Sequence, residues 1–227
     1  MGGASVTRLY FVRHGKTEWN LEGRYQGAAG DSPLLPQSYR QIAALAQYLN
    51  EQGILFSHAY VSPLKRTRTT ALTLLSELNQ DVPLTVMPAL REFNLGLMEG
   101  QTFTDVEKKF PDELYAFRHD PAKYDPRRLH GESFPQLLDR MVPPVREVVA
   151  GDYSGKANIL MVGHGASLAA LIQHLVGTPI ADLRKDGGLT NSSLTVLEMN
   201  EDRLPYHLVK WNDTHYLLGK RSATDTI

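Results

Sequence analysis

Two histidines in this chain stand in the same local pattern. The apolar run 9–12 leads to His14, the apolar run 159–162 leads to His164, and each histidine precedes a glycine. Short apolar runs of this kind are typical of strands buried in a parallel sheet. Ligands of such sheets bind beyond the carboxyl ends of the strands, and a glycine lets the backbone come close to them. Both imidazoles are therefore expected at one functional edge.

Two arginines are expected at the same edge. Arg13 directly precedes His14, and Arg66 follows a third predicted strand, 59–61, and a Ser-Pro turn. The planar guanidinium matches the geometry of phosphate oxygens. The combination of imidazoles and guanidiniums favours a site for a phosphoryl group.

Two alternatives compete with this interpretation. A histidine after a strand is more often a capping or hydrogen-bonding residue, but repetition of the pattern beside two arginines argues against coincidence. A metal site is the second alternative. The fixed charge of Arg13 would repel a cation next to His14, and these strand ends lack the paired carboxylates that a hard metal needs. The residues therefore imply no metal and no cofactor.

Strands and helices alternate along the chain. Strands are predicted over 9–12, 59–61, 85–86, 159–162 and 193–198, and helices over 36–52, 66–78, 135–150 and 166–176. The alternation predicts an α/β fold, a three-layer α/β/α sandwich with a mostly parallel central sheet.

The stretch 93–135 is polar and contains prolines. It predicts a lid-like insertion with some helix around 104–119, and the polar tail after Gly219 is expected to be loosely held. No linker divides the chain, so residues 1–227 are expected to form a single domain.

Composition narrows the function further. The 227 residues include no cysteine, which excludes thiol catalysis and disulfides, and the net charge of −1 gives no reason to expect a nucleic-acid or membrane partner. No signal peptide and no apolar run of about 18 residues is present. A cytoplasmic protein acting on a small phosphorylated molecule is expected, and the sequence does not indicate its oligomeric state.

The first predicted strand and the eight residues that follow it also form a recognisable motif. The sequence of 9–20, LYFVRHGKTEWN, resembles the signature of the histidine phosphatase (phosphoglycerate mutase-like) superfamily. Further blocks similar to that family follow in its order: GRYQG at 23–27, DSPL at 31–34, SPLKR at 62–66, LRE at 90–92, MEG at 98–100, GES at 131–133 and VGHG at 162–165.

The resemblance implies a role for each matched residue. His14 would be the nucleophile, Glu92 the proton donor, and the groups that bind the phosphoryl oxygens would be Arg13, Arg66 and His164. Further substrate-binding residues would be Asn20, Thr17, Gln26 and Gly165. Phosphoryl transfer depends mainly on positioning and on charge stabilisation, which arginines and a second imidazole supply without a metal. Activity is expected to fall at alkaline pH, where Glu92 loses the proton that it must donate. Glu99 is a rival carboxylate.

Some positions depart from the family pattern. Ala28, Leu35 and Ser38 stand where the family often has Trp, Thr and Gly, which leaves the shape of the loop 27–34 open. The Arg-His-Tyr-Gly segment of the mutases is absent, and 93–110 resembles the phosphatase branch. The resemblance therefore favours a phosphatase. Mutase-type phosphoryl transfer and a non-catalytic phosphate-binding module are the alternatives.

A cluster of basic residues in the insertion has two interpretations. It could recognise a second anionic group on the substrate, or it could be a solvated loop balanced by nearby carboxylates. The cluster comprises Arg118, His119, Lys123, Arg127, Arg128 and His130, and the carboxylates are Asp112, Glu113, Asp120 and Asp125.

Overall fold

The computed structural model of the chain describes residues 6–199, 202–217 and 223–226. Within them, six strands form one sheet: β1 Thr7–Arg13, β2 His58–Val61, β3 Leu84–Val86, β4 Asn158–Gly163, β5 Leu194–Met199 and β6 His207–Asp213. Their order across the sheet is β3-β2-β4-β1-β5-β6. The strands β1 to β4 run parallel, whereas β5 and β6 pair antiparallel. The predicted α/β fold with a mostly parallel sheet is confirmed.

Strand β1 lies inside the sheet and is buried on both faces. Leu9 and Phe11 pack into the core on one face, and Tyr10 and Val12 pack into the core on the other. Because successive side chains of a strand point to opposite faces, both cores require apolar residues, which explains the unbroken apolar run.

Helices cover both faces of the sheet and make three layers. Residues of α2 and α3 form one core with Val12, and residues of α6 and α7 form the other with Phe11. The α-helices of the described residues are α1 Glu18–Leu21, α2 Pro36–Glu51, α3 Lys65–Leu78, α4 Phe103–Lys109, α5 Pro111–His119, α6 Phe134–Ala150 and α7 Gly165–Leu175.

The strand register brings three chain segments to one edge. Arg13 lies opposite Gly163 in the β1–β4 pair, and Val61 lies opposite Val162 in the β2–β4 pair. The residues that follow these strands therefore leave the sheet side by side. Helices α3 and α7 also begin at this edge, shortly after β2 and β4.

The stretch around 104–119, in which some helix was predicted, forms two helices. Helix α4 ends at Lys109, and α5 begins at Pro111, with Phe110 between them at φ −136° and ψ 52°. A proline disfavours helical dihedral angles in the residue before it, which explains the break at Phe110.

The insertion contributes to the core beneath it. The rings of Phe93, Phe117 and Phe134 lie 4.9–5.5 Å apart, and all three side chains are buried. Offset and edge-to-face aromatic contacts at these distances are stabilising. The inner side of this stretch is therefore a packed layer under the polar surface seen in the sequence.

Two features of the C-terminal part differ from expectation. Strand β6 was not predicted, because it is a half-exposed edge strand with several polar residues. Residues 220–222 and 227 lie outside the described part of the chain, but Ala223–Asp225 form a 3-10 turn that contacts α1. The expectation of a loose tail was wrong for 223–226. Within the described residues, no helix has the length and apolar character required to cross a membrane.

Candidate active site

His14 is the first residue after β1, and its side chain is buried. Its backbone N–H donates to the carbonyl of Gly163 at 3.0 Å, and its Nδ1 lies 2.8 Å from the carbonyl oxygen of Gly15. Because a carbonyl oxygen only accepts hydrogen bonds, Nδ1 must carry the proton in this contact. The lone pair of the ring is then on Nε2, which is the nitrogen that could act as a nucleophile.

Arg13 is packed beneath the start of α7. A Cβ atom at Gly165 would lie 2.9 Å from Arg13 Nε, so glycine is needed there to leave room for the guanidinium. Arg13 Nη1 donates to the carbonyl oxygens of Leu189 at 2.5 Å and Asp225 at 2.8 Å. The geometry thus gives Gly165, expected to bind substrate, a steric role in placing Arg13.

Arg66 is held by the loop before α2. Its Nη1 donates to the carbonyl of Gly30 at 2.6 Å and to Asp31 Oδ1 at 3.2 Å, and its Nη2 donates to the carbonyl of Gly27 at 2.9 Å. Asp31 also accepts the N–H of Lys65 at 2.5 Å and so caps the first turn of α3. These contacts fix the guanidinium at the edge where β2 ends.

His164 follows β4 as His14 follows β1. The two ring centroids are 5.4 Å apart, and His164 Nε2 lies 2.7 Å from Ser62 Oγ. The structure therefore brings together the two strand-histidine-glycine units seen in the sequence.

Asn20 has a fixed amide orientation. Its Oδ1 accepts from Thr17 N–H at 3.1 Å, from Thr17 Oγ1 at 3.0 Å and from Asn191 Nδ2 at 3.3 Å. With three donors on the oxygen, the Nδ2 group points the other way. Asn20 thus offers a fixed amide donor.

Several donors on these side chains are buried without a hydrogen-bond partner among the described residues. They are Nε and Nη2 of Arg13, Nε of Arg66, Nδ1 of His164 and Nδ2 of Asn20. A buried donor left unpaired costs about 1–3 kcal/mol, more when it is charged. A bound anion with several oxygens would supply the missing acceptors. The arrangement could hold an oxyanion beside His14.

The same surroundings set the charges of the site. Burial holds the pKa of His14 well below 6.5, and Arg66 and Arg13 lower it further. Burial, followed by Arg66, also holds the pKa of His164 well below 6.5. Burial lowers the pKa of Arg13 to about 10, and Glu92 raises it in part. At neutral pH both imidazoles are therefore neutral, whereas Arg13 is charged.

Glu92 is fixed at the N-terminus of α7. Its Oε1 accepts the N–H groups of Phe93 at 2.9 Å and Ser167 at 2.7 Å, and its Oε2 accepts that of Ala166 at 3.1 Å. Glu92 also lines a narrow cavity together with His14 and, among others, Tyr25, Gln26, Arg66 and Phe117. The carboxyl group of Glu92 and the imidazole of His14 thus line one cavity.

Thr17 and Gln26 already have protein partners. Thr17 caps α1, and its Oγ1 accepts from Gln26 Nε2 at 2.8 Å. Gln26 Oε1 accepts from the N–H and the hydroxyl of Ser32, both at 3.1 Å. Gln26 lines the cavity, but its amide is engaged at both ends, so the geometry favours a role in shaping the wall.

Glu99, the rival carboxylate, holds the loop 27–34. It accepts the N–H groups of Ala28 and Leu95 at 2.9 Å and of Ala29 at 3.0 Å. The shape of this loop, left open by the sequence, is thereby fixed by Glu99 and Asp31. Leu35, which stands where the family often has a capping Thr, makes no side-chain cap for α2.

Sequence reasoning missed four residues around the site. Asp31 holds Arg66, Asp225 binds Arg13, and Asn191 donates to the carbonyl of His14 at 3.1 Å as well as to Asn20. Arg184 is buried, with its guanidinium 5.2 Å from the ring centroid of Phe117. Asp31 belongs to the DSPL motif at 31–34, and that motif could have identified it from the sequence. The contacts of the other three residues depend on the tertiary fold.

The basic cluster of the insertion divides into two groups. Arg127, Arg128 and Lys123 pair with Asp125, Glu113 and Asp120 at 2.5–2.9 Å, which supports the balanced-loop interpretation for these three. Arg118 instead donates from Nη2 to the hydroxyl of Tyr25, a residue of the cavity wall, at 2.7 Å. No group of three or more metal-ligating side chains occurs in the part of the chain that the structure describes.

Comparison with known families gives a match over residues 9–214 to the histidine phosphatase superfamily, branch 1. The chain belongs to the histidine phosphatase superfamily. The resemblance inferred from the motifs is thereby confirmed.

The relatives of this chain are named for more than one activity. The chain is 34% identical over 173 residues to a broad-specificity phosphatase of Saccharomyces cerevisiae, covering 75% of this chain and 71% of the relative. It is 33% identical over 174 residues to a Serratia proteamaculans protein, GpmB, whose name classes it with the phosphoglycerate mutases; the match covers 77% of each. The chain also matches the rat bifunctional 6-phosphofructo-2-kinase/fructose-2,6-bisphosphatase 1, but the match covers only 32% of the length of that protein.

A solved structure shares this fold over nearly the whole length of both chains. Bacillus stearothermophilus YhfR superposes with a TM-score of 0.82 at 28% sequence identity, and the match covers 92% of this chain and 98% of that one.

Proposed function

We propose that this chain is a phosphatase that hydrolyses small phosphate monoesters through a phosphohistidine intermediate on His14. The observation that carries the proposal is the set of buried, unpaired donors around a neutral imidazole whose lone pair lies on Nε2. The similarity to a broad-specificity phosphatase supports it.

The first step forms the phosphohistidine. The lone pair of His14 Nε2 attacks phosphorus, and the bond from phosphorus to the ester oxygen breaks. Protonated Glu92 gives its proton to that oxygen, so the product leaves as a neutral alcohol. The carbonyl of Gly15 accepts from Nδ1 and keeps the ring oriented for attack.

The second step returns the enzyme to its starting state. Ionised Glu92 takes a proton from water, and the water oxygen attacks phosphorus. The bond between phosphorus and Nε2 breaks, its electron pair returns to Nε2, and inorganic phosphate leaves. Glu92 is again protonated and His14 is again neutral.

Charge stabilisation accompanies both steps. Arg13, Arg66 and His164 present donors that are fixed before substrate arrives, so little reorganisation is needed in the transition state. Asn20 Nδ2 adds a neutral donor.

The test is release of inorganic phosphate from a panel of monoesters in excess EDTA, with the wild type, His14→Asn and His119→Asn. His119 lies at the exposed end of α5 and is the matched control. We expect release to survive EDTA, to fall at least about a thousandfold in His14→Asn, and to persist in His119→Asn. Rapid quench and mass spectrometry should detect a phosphoryl group on His14. Turnover that survives in His14→Asn, or is lost in EDTA, contradicts the proposal.

Mutase-type transfer is the second candidate, because one relative is classed with the phosphoglycerate mutases. The same reactions with 3-phosphoglycerate are analysed for 2-phosphoglycerate. Isomerisation much faster than phosphate release would assign the chain to the mutases. Phosphate binding without either reaction would indicate the non-catalytic module.

A further inference from the structure

The segment that carries Glu92 has little regular structure of its own. It follows β3 as a 3-10 turn, Pro88–Leu90, and continues as extended backbone at Arg91, with φ −57° and ψ 154°. The carboxyl group of Glu92 must nevertheless stay in one place, because a general acid acts only within hydrogen-bond reach of the atom that it protonates. Contacts from outside the segment are therefore needed to hold it.

Arg140 on α6 makes such contacts. Its Nη1 donates to the carbonyl oxygens of Ala89 at 2.5 Å and Arg91 at 3.2 Å. Its Nη2 donates to the carbonyl oxygen of Glu92 at 3.1 Å. One guanidinium thus binds three carbonyl groups within four consecutive residues, and the last of these groups belongs to Glu92 itself.

Glu132 orients the guanidinium of Arg140. Arg140 Nε and Nη2 donate to the two carboxylate oxygens of Glu132 at 2.6 and 2.8 Å, and the side chain of Glu132 is only 13% exposed. A two-point contact of this kind fixes orientation as well as distance. The five N–H groups of the guanidinium are all used, one from Nε and two from each terminal nitrogen.

Glu132 belongs to the GES motif at 131–133, which the proposed mechanism does not use. Ser133 of the same motif caps α6, because its hydroxyl accepts the N–H of Gln136 at 3.3 Å and its own N–H donates to the side chain of Gln136 at 2.8 Å. Arg140 lies two turns further along this helix. The motif thus begins the helix and also orients the arginine that the helix carries.

The backbone of Glu92 determines where its carboxyl group lies. The two carboxyl oxygens accept the N–H groups of Ala166 and Ser167, in the first turn of α7. The first N–H groups of a helix have no acceptor within the helix, so these two depend on Glu92. A shift of the backbone at Glu92 would move the carboxyl group away from both N–H groups and from the cavity that it lines with His14.

We propose that Arg140, oriented by Glu132, is a positioning residue that holds the proton donor Glu92 within reach of the leaving-group oxygen. The proposal rests on the phosphatase function proposed above. Arg140 touches no reacting atom and acts through Glu92. Its loss therefore affects leaving groups that need a proton and spares those that leave as stable anions.

Two classes of substrate separate this role from a general structural one. The alkyl esters of the panel release an alcohol and need a proton, whereas p-nitrophenyl phosphate releases a stable phenolate. We expect Arg140→Gln to lower kcat/KM about 10- to 100-fold for the alkyl ester that the wild type hydrolyses fastest, and at most about threefold for p-nitrophenyl phosphate. Equal losses for the two substrates, or no loss for either, overturn the proposal.

Arg146→Gln is the matched control for Arg140→Gln. Arg146 lies on the same helix, and its Nε and Nη2 donate to the carboxylate of Asp202 at 3.0 and 2.9 Å. Loss of this two-point contact should leave kcat/KM unchanged for both substrates. Melting temperatures verify folding, and if Arg140→Gln does not fold, Glu132→Gln carries the same test with a smaller factor.

A double-mutant cycle tests whether Arg140 acts through Glu92. In Glu92→Gln protein the proton donor is already absent, so adding Arg140→Gln should lower kcat/KM for the alkyl ester by no more than about twofold. A further loss as large as that of Arg140→Gln alone contradicts the proposal.

Amide hydrogen exchange tests the position of Glu92 without turnover. We expect the N–H groups of Ala166 and Ser167 to exchange at least about tenfold faster in Arg140→Gln than in the wild type or Arg146→Gln, the factor for a net loss of about one hydrogen bond. Faster exchange supports the positioning role even if the protein hydrolyses no ester. Wild-type exchange at both residues in Arg140→Gln rejects that role and leaves the phosphatase function standing on its own assay.

Discussion

The imidazole of His14 is buried beside two arginines, and this environment links protonation to folding. Burial, Arg66 and Arg13 hold its pKa well below 6.5, whereas the unfolded chain takes up a proton near that pH. Below pH 6.5 the unfolded state therefore binds more protons, and stability falls as the pH falls. Above pH 6.5 the contribution is fully present.

We therefore expect the free energy of unfolding to lose up to about 1.4 kcal/mol per pH unit through His14 as the pH falls below 6.5. Urea unfolding of the wild type and His14→Asn between pH 7.5 and 5.5 measures this, and the variant should show a shallower dependence. His119→Asn, altered at an exposed position, should retain the wild-type slope. Identical slopes for the wild type and His14→Asn would contradict the argument.

Glu92 gives a second prediction at the residue scale. In the proposed mechanism it must carry a proton when the leaving group departs, so turnover should decline at alkaline pH. The measurement is kcat and kcat/KM up to pH 9 for the wild type and Glu92→Gln. A wild-type profile that stays flat to pH 9 in both parameters would remove Glu92 from the role of acid.

At the scale of elements, the close contact between β1 and α7 determines where Arg13 lies. A Cβ at Gly165 would approach Arg13 Nε at 2.9 Å and Cζ at 3.0 Å, and Arg13 is tethered to Leu189. Gly165→Ala should displace the guanidinium and reduce kcat/KM about 100-fold, the range for loss of one oxyanion donor.

The control for this variant is Gly151→Ala, at the end of α6, where a Cβ would meet the carbonyl of Glu147 at 3.3 Å. Melting temperatures of both variants distinguish loss of stability from loss of positioning. A Gly165→Ala protein with normal kinetics would show that the helix start can shift without consequence for Arg13.

The elements explain which features could be predicted from the sequence. Strands β1 and β4 are buried on both faces, so their apolar runs could be predicted from the sequence, together with the histidines that follow them. Because the two strands pair in parallel, the histidines must be neighbours. Glu92 follows no strand, and only the resemblance to a family singled it out. The prediction of some helix around 104–119 did not locate the break before Pro111, for which the proline itself was the signal.

Other features had no local signal. Asn191 and Arg184 stand near each other in sequence and reach opposite parts of the site, Asn191 to His14 and Arg184 to Phe117. Strand β6 is recognisable by its pairing with β5 and not by its composition. These features depend on how distant segments pack, which the spacing of residues along the chain does not reveal.

At the scale of the whole molecule, the last residues of the chain complete the site that the first strand begins. The carbonyl of Asp225 binds Arg13 at 2.8 Å, and its carboxylate pairs with the buried Lys16 at 2.5 Å. Ending the chain at Ser222 should raise KM about tenfold, as expected when about one hydrogen bond to a charged group is lost.

Asp225→Asn is the matched variant, because it retains the backbone carbonyl bonded to Arg13 and removes only the charge opposite Lys16. It should raise KM less than the truncation does. Steady-state kinetics of both proteins provide the measurement, and an unchanged KM in the truncated protein would show that Arg13 does not depend on the tail.

The long sequence separations within the site have a consequence for synthesis. Arg13 forms bonds to residues 176 and 212 positions further along the chain. Because residues emerge from the ribosome in order, β1 leaves the exit tunnel long before its neighbours β4 and β5 exist. A nascent chain that already contains His14, Arg66 and Glu92 still lacks the surface that would enclose a phosphate. Full hydrolytic activity therefore requires that translation has passed Asp225, and chains terminated before His164 should not hydrolyse phosphate esters.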